Sequence, residues 1–243
     1  MKQVIAIGLL AVAAGSAQAI TLWNNGAAVS GTPGPSATSV IRAGGTLLGI
    51  GAQNFVPNTV ADNFTVTGAG WLVQDLSFFS YQSFAASVFT FSSVTWSVVS
   101  GDVNTGSVVA TGTTGASNGG LQGYRVSATT LTNTDRAIFR LDLNVVDFNL
   151  NAGSYWLRWS MAGTATSGPW QPPVASGAVG NAQQALGGTG AFALVLDAGD
   201  GLGNELPFVI NGTINPIPEP STYLMLLAGG LAVAGVVRRR RAG

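Results

Sequence analysis

An all-β fold, a β-sandwich of jelly-roll-like type, is what the sequence predicts for residues 20–214. Three observations carry it. Short apolar alternations of period two recur from residue 60 onward, and Gly or Asn turns bound each of them. Between the two terminal apolar segments no stretch keeps the longer period of a helix. The strand candidates are short and evenly spaced, about nine or ten of them, as in sandwiches and jelly rolls.

Taken in order, residues 1–19 read as a signal peptide. Lys2 supplies a positive start, residues 4–14 an apolar centre, and Ala17-Gln18-Ala19 a small-x-small cleavage site. An uncleaved anchor is the alternative, and the apolar run is short for it. The mature chain is expected to start near Ile20, with residues 20–45 an irregular lead-in holding at most one short strand.

Residues 60–66 form the first clear strand candidate, closed by Thr67-Gly68-Ala69-Gly70. Residues 71–82 follow, with Leu72, Leu76 and Phe78 on one face and Trp71, Val73, Phe79 and Tyr81 on the other. Aromatic side chains on both faces predict a central strand, buried by a sheet on one side and by loop on the other. Val94, Trp96 and Val98 alternate with Thr95, Ser97 and Val99, and residues 101–106 turn the chain into a hairpin with 107–113. Residues 124–131 are a further candidate. In 137–145, Phe139, Leu141, Leu143 and Val145 are expected to face in, and Ile138, Arg140, Asp142 and Asn144 out. Strands at 154–161, 191–196 and 207–214 complete the set.

Composition removes several classes of function. With both terminal segments set aside, five arginines stand against nine acids, a net charge of −4, and no lysine remains. No basic track is offered to nucleic acid, and that partner is rejected. The chain has no histidine and no cysteine. Ser-His-Asp and Cys-His catalysis cannot be assembled from it, nor a zinc site of imidazole or thiolate, and stability rests on the core. Carboxylate chemistry and calcium binding through oxygen survive.

Two regions hold candidate binding residues. Trp170 stands among Pro169, Pro172 and Pro173 in the uncharged stretch 161–190, where it could stack on a sugar ring. The simpler reading folds it back to plug one end of the sandwich. Trp156 and Arg158 share one strand face, Tyr155, Leu157 and Trp159 the other; one set is core and the other a possible glycan platform. Asp197, Asp200, Asn204 and Glu205, spread among glycines, offer hard oxygen ligands for calcium. They do not match EF-hand spacing, and a plain acidic turn is the simpler reading. No pair of carboxylates stands out for glycoside hydrolysis, and no other cofactor is expected.

Residues 215–243 are organised differently: a proline-stiffened spacer with Pro218-Glu219-Pro220, an uncharged apolar run at 223–237, then Arg238, Arg239, Arg240 and Arg241. At ~1.5 Å per residue the run makes ~22 Å of helix, short against a hydrocarbon core of ~30 Å. The arginines resist translocation and stay cytoplasmic. The prolines hold the tripeptide extended and accessible off the membrane. An ordinary C-terminal transmembrane anchor is one reading, and a span removed later by a membrane enzyme is the other.

This order of spacer, apolar run and terminal arginines resembles the PEP-CTERM sorting signal, a tail type also called an ice-binding protein C-terminal domain. The second name carries no ice chemistry here, since Thr111, Thr113 and Thr114 make only a short cluster. The resemblance implies Sec export, transient residence in the inner membrane, and processing by an exosortase. That enzyme is a membrane-embedded cysteine transpeptidase of Gram-negative bacteria that make exopolysaccharide. Residues 61–66, 78–81, 153–157, 167–173 and 206–213 are also similar to patterns in other PEP-CTERM ectodomains, which supports the fold and adds no activity. The expected function is that of a sorted surface or exopolysaccharide-matrix protein without catalysis. Its rivals are a carbohydrate-binding module and a glycosidase or lyase built on acids alone.

Overall fold

The computed structural model describes residues 18–216, apart from positions 86 and 189, together with Gly229. Fourteen strands are formed there: β1 (Ile20–Asn24), β2 (Thr38–Val40), β3 (Ile50–Gly51), β4 (Thr59–Val66), β5 (Trp71–Ser80), β6 (Phe91–Ser100), β7 (Ser107–Gly115), β8 (Ser117–Val126), β9 (Ala137–Leu150), β10 (Gly153–Gly163), β11 (Trp170–Gln171), β12 (Gln183–Ala185), β13 (Ala193–Leu194) and β14 (Phe208–Ile214). They make two six-stranded sheets, ordered β1-β14-β5-β9-β8-β2 and β13-β12-β4-β10-β6-β7, and a two-stranded patch of β11 and β3. All pairs are antiparallel except β2 with β8.

The inner faces of the two sheets meet in one apolar core, the sandwich the sequence predicts. Phe64 of β4 sits at its centre, 6.2 Å from Trp71, 5.6 Å from Tyr155 and 6.2 Å from Phe208 between ring centroids. Phe78 and Trp159 meet across the sheets at 5.1 Å. These distances suit offset and edge-on aromatic pairs, which add to the area they bury.

β5 is central and buried on both sides, as expected, but its faces are not those of strict alternation. Gln74 has no counterpart on β14, where Asn211 pairs with Asp75 and Gly212 with Val73. This bulge reverses the parity of the strand. Trp71 and Val73 therefore join Leu76 and Phe78 in the inter-sheet core, while Phe79 and Tyr81 enter a second cluster on the outer face. Ile138 belongs there too and is fully buried, not outward as alternation alone implies. Ala28, Val29 and Ala37, from the loop between β1 and β2, cover it.

Four other expectations change. The lead-in 20–45 holds two strands: β1 pairs with β14 at one edge, and β2 lies parallel to β8 at the other. The strand expected at 124–131 lies earlier, because the Ser127 hydroxyl engages Thr129 and Thr130 and ends the pairing in a turn. The strand expected at 191–196 shrinks to β13, and the stretch 161–190 contains β11 and β12. The hairpin of β6 and β7 and the inward row of β9 stand as expected.

Candidate functional site

Alternation fixes the role of β10. Tyr155, Leu157 and Trp159 point into the core, leaving Trp156 and Arg158 on the outer face. Arg158 lies 5.0 Å over the Phe192 ring and donates to the Val103 carbonyl, so its head is committed to the protein. Trp156 stands across from Asn63 and Val99, half-buried.

Trp170 lies elsewhere, on the outer side of the other sheet, so the two tryptophans do not form one platform. Its amide donates to the Tyr81 carbonyl (2.9 Å), and its carbonyl accepts from the Tyr81 amide (3.0 Å) and the Ser80 hydroxyl (2.9 Å). The indole Nε1 donates to the Ser167 hydroxyl at 3.3 Å. Gly168, at φ +95°, lets the ring lie close: a Cβ there would come within 2.6 Å of Trp170 Cδ1. Trp170 packs on the second apolar cluster while its neighbour Gln171, fully buried, accepts from Trp159 Nε1. Part of the indole is therefore packed against the protein. Trp170 also lines a recess of about 220 Å³, together with Leu48, Gly49, Tyr81, Ser83, Arg136 and Ser167.

Leu48, one of the lining residues, is held by a residue that sequence reasoning passed over. Arg125 is 2 % exposed, and among the described residues no carboxylate bonds it. It donates to the carbonyls of Leu47 (2.6 Å), Leu48 (2.8 Å) and Val40 (3.1 Å) and to the Ser39 hydroxyl (3.0 Å). Burial lowers its pKa to about 10, and burial raises that of Tyr81 to about 12. Its place in a half-apolar strand was the available signal; which face it takes depends on the parallel pairing with β2.

The acidic stretch between β13 and β14 is a turn. Asp197 Oδ1 accepts from the Thr46 and Gly199 amides, each at 2.8 Å, and Oδ2 from the Leu47 amide at 3.1 Å; these bonds hold its pKa down against burial. Asp200 is forked onto the Arg42 guanidinium, with Nη2 to Oδ1 at 2.9 Å, which lowers its pKa. Asn204 Nδ2 donates to the Val195 carbonyl, and Glu205 Oε1 accepts from Asn25 Nδ2 at 2.8 Å. The four side chains predicted for calcium are thus spent on separate partners. Among the described residues no group of three or more acids is placed to hold a metal ion.

Glu205 instead belongs to a second, half-buried arrangement. Asn25 Nδ2 also reaches Asp62 Oδ2 (3.3 Å), which accepts from the Leu206 amide (2.7 Å), while Trp23 Nε1 donates to Asn25 Oδ1 (3.0 Å). Asp62 is fully buried. Burial and the neighbouring Glu205 push its carboxyl up to about 8, against the pull of the Leu206 and Asn63 amides. The two carboxyls share the Asn25 amide, Asp62 from the interior and Glu205 from a half-buried position.

The junction with the tail is equally defined. The Asn215 amide donates to the Gly70 carbonyl (3.0 Å), one residue beyond the end of β14. Gly70, at φ +91°, permits this crossing, since a Cβ there would stand 2.3 Å from the Leu150 carbonyl. Ala19 is exposed just ahead of β1. Ala17, Pro218, Glu219, Pro220, Arg238, Arg239, Arg240 and Arg241 lie outside the described residues, as does the run 223–237 apart from Gly229. Among the described residues no helix is long and apolar enough to cross a membrane.

Residues 216–241 match the PEP-CTERM protein-sorting motif, which implies exosortase-dependent sorting and direction to the cell surface. No curated protein matches the chain.

Proposed function

We propose that this chain, carrying its sorting motif at 216–241, is a non-catalytic protein of the cell surface or exopolysaccharide matrix. It is exported by the Sec machinery and held for a time in the inner membrane until an exosortase releases the tail. The observation that carries this reading is the position of the motif. It begins one residue after Asn215, whose amide bonds the Gly70 carbonyl, and two residues after β14 ends, so the site of processing is set beyond the last strand of the sandwich. One observation supports the absence of catalysis: Asp62, close to Glu205, is fully buried, where no substrate reaches it. Replacing Pro218, Glu219 and Pro220 with alanine in the native host tests the proposal. Retention of the variant in the inner membrane with its arginines intact is expected; unchanged surface delivery contradicts it.

A second reading, carbohydrate binding within the matrix, is favoured by the recess beside Trp170, whose aromatic wall is fixed by main-chain bonds before any ligand arrives. On the face that Trp156 shares with Arg158, a recess of about 230 Å³ is lined by Arg158 and Phe192, whose side chains already engage each other. Trp170→Ala should abolish binding to matrix polysaccharide if this reading holds, and an absence of binding by the unaltered protein retires it.

A further inference from the structure

We infer that the recess between Trp170 and Tyr81 binds a single carboxylate-bearing sugar residue, a uronate, of an acidic polysaccharide. The inference rests on the carbohydrate-binding reading and narrows it to a charge class. Arg136 carries the argument. It lines the recess and its charge acts on Tyr81, yet its side chain makes no hydrogen bond or ion pair with any of the described residues. Arg42, Arg125, Arg140 and Arg158 are each committed to carbonyl, hydroxyl or carboxylate partners. A free planar fork matches a carboxylate with two parallel bonds.

The surroundings reinforce the sign. No acid lines the recess, and the buried Arg125 lies close enough that Arg136 and Arg125 both act on Tyr81. In a domain of net charge −4 this is a place where positive potential is concentrated. The other groups suit a sugar ring better than a bare anion. Trp170 supplies an indole wall for the C–H face of a ring. The Tyr81 hydroxyl bonds none of the described residues, and Ser83 and Ser167 add two more hydroxyls for ring hydroxyls. At about 220 Å³ the recess is below the roughly 300–1,000 Å³ of drug-sized ligand sites, which fits one ring of a chain whose neighbours run past the mouth.

The test uses the full chain in mild detergent, titrated with tetrasaccharides of glucuronate, galacturonate, mannuronate or guluronate, their carboxyl-reduced neutral counterparts, and sodium acetate. At least one uronate should bind, its reduced counterpart should bind about 10–100-fold more weakly, and acetate should not compete at equal concentration. Arg136→Gln should reproduce the loss while leaving the thermal melt unchanged, because Arg136 supports no other group. Trp170→Ala should remove binding to both forms. Equal binding of charged and reduced sugars, or no effect of Arg136→Gln, overturns the inference and leaves the carbohydrate reading standing. Binding to neither form overturns both, and displacement by acetate alone reduces the site to an adventitious anion site.

Discussion

Ile20 stands opposite Gly212 across the β1–β14 pair, so the first residue after the predicted leader lies two positions from the end of the last strand. Both ends of the sandwich therefore leave from one edge of one sheet. A chain held at a membrane by leader and tail could close β1 onto β14 without crossing the body of the domain. β1 also brings Leu22 and Trp23 onto the core.

Deleting residues 20–24 should lower folding stability by about 2–4 kcal/mol through loss of that apolar contact, and should leave β14 as a bare edge. Urea titration and analytical ultracentrifugation should show a lower midpoint and self-association. An unchanged midpoint would mean that β1 is an ornament on the sheet.

Phe64→Ala should cost about 3–5 kcal/mol, since it empties the centre of a cluster in which four aromatic rings lie around Phe64. The same substitution at Phe55, which is 68 % exposed, should stay within about 0.5 kcal/mol of the parent. Equal effects at both positions would contradict the placement of the core.

Arg125→Ala should destabilise the protein by about 3 kcal/mol or more, because it strands three carbonyls and a hydroxyl. Lysine should recover only part of this, since one ammonium cannot reach the spread of acceptors that the fork spans. Chemical denaturation of the three forms checks the order. Full recovery by lysine would show that charge alone is needed there.

Asp62 sets a pH dependence. The unfolded chain ionises this carboxyl near 3.8, while the folded chain keeps its proton up to about 8, so the folded state binds more protons between these values. Stability should therefore fall as pH rises through that window, by up to about 1.4 kcal/mol per unit, and level off above it. Glu205, also raised by burial, acts in the same direction. Asp197 and Asp200, both lowered, act in the opposite sense: their contribution is present above the ordinary carboxylate range and is lost as pH falls through their depressed values. Asp62→Asn should flatten the fall between pH 4 and 8 in thermal melts. A slope that survives the substitution assigns it to another group.

Much of the sandwich was legible in the sequence because period-two patterning needs no tertiary knowledge: the β6–β7 hairpin and the inward row of Phe139, Leu141 and Leu143 follow from it directly. β8 was placed too late because Ser117 to Gly123 is polar and glycine-rich, and only pairing with β9 makes it a strand. The faces of β5 were mixed because one bulge at Gln74 inverts everything before it, and no local residue type announces such a bulge. The sorting tail was readable since its logic is order and composition. The recess was half readable: Trp170 was visible as an unusual residue, but Tyr81, just past β5, and Arg136, just ahead of β9, reach it from distant parts of the chain. Arg125 and the Asp62–Asn25–Glu205 contact were not readable at all, since each joins residues more than 30 positions apart in the chain.

The central claim is that a self-sufficient sandwich is delivered outside the cell by a leader and a tail that are both removed. Intact-mass spectrometry of the mature protein from its native host tests this most directly. The account predicts a chain that starts near Ile20 and lacks Arg238, Arg239, Arg240 and Arg241, recovered outside the cytoplasm. A full-length chain in the cytosol, with leader and arginines in place, would contradict it.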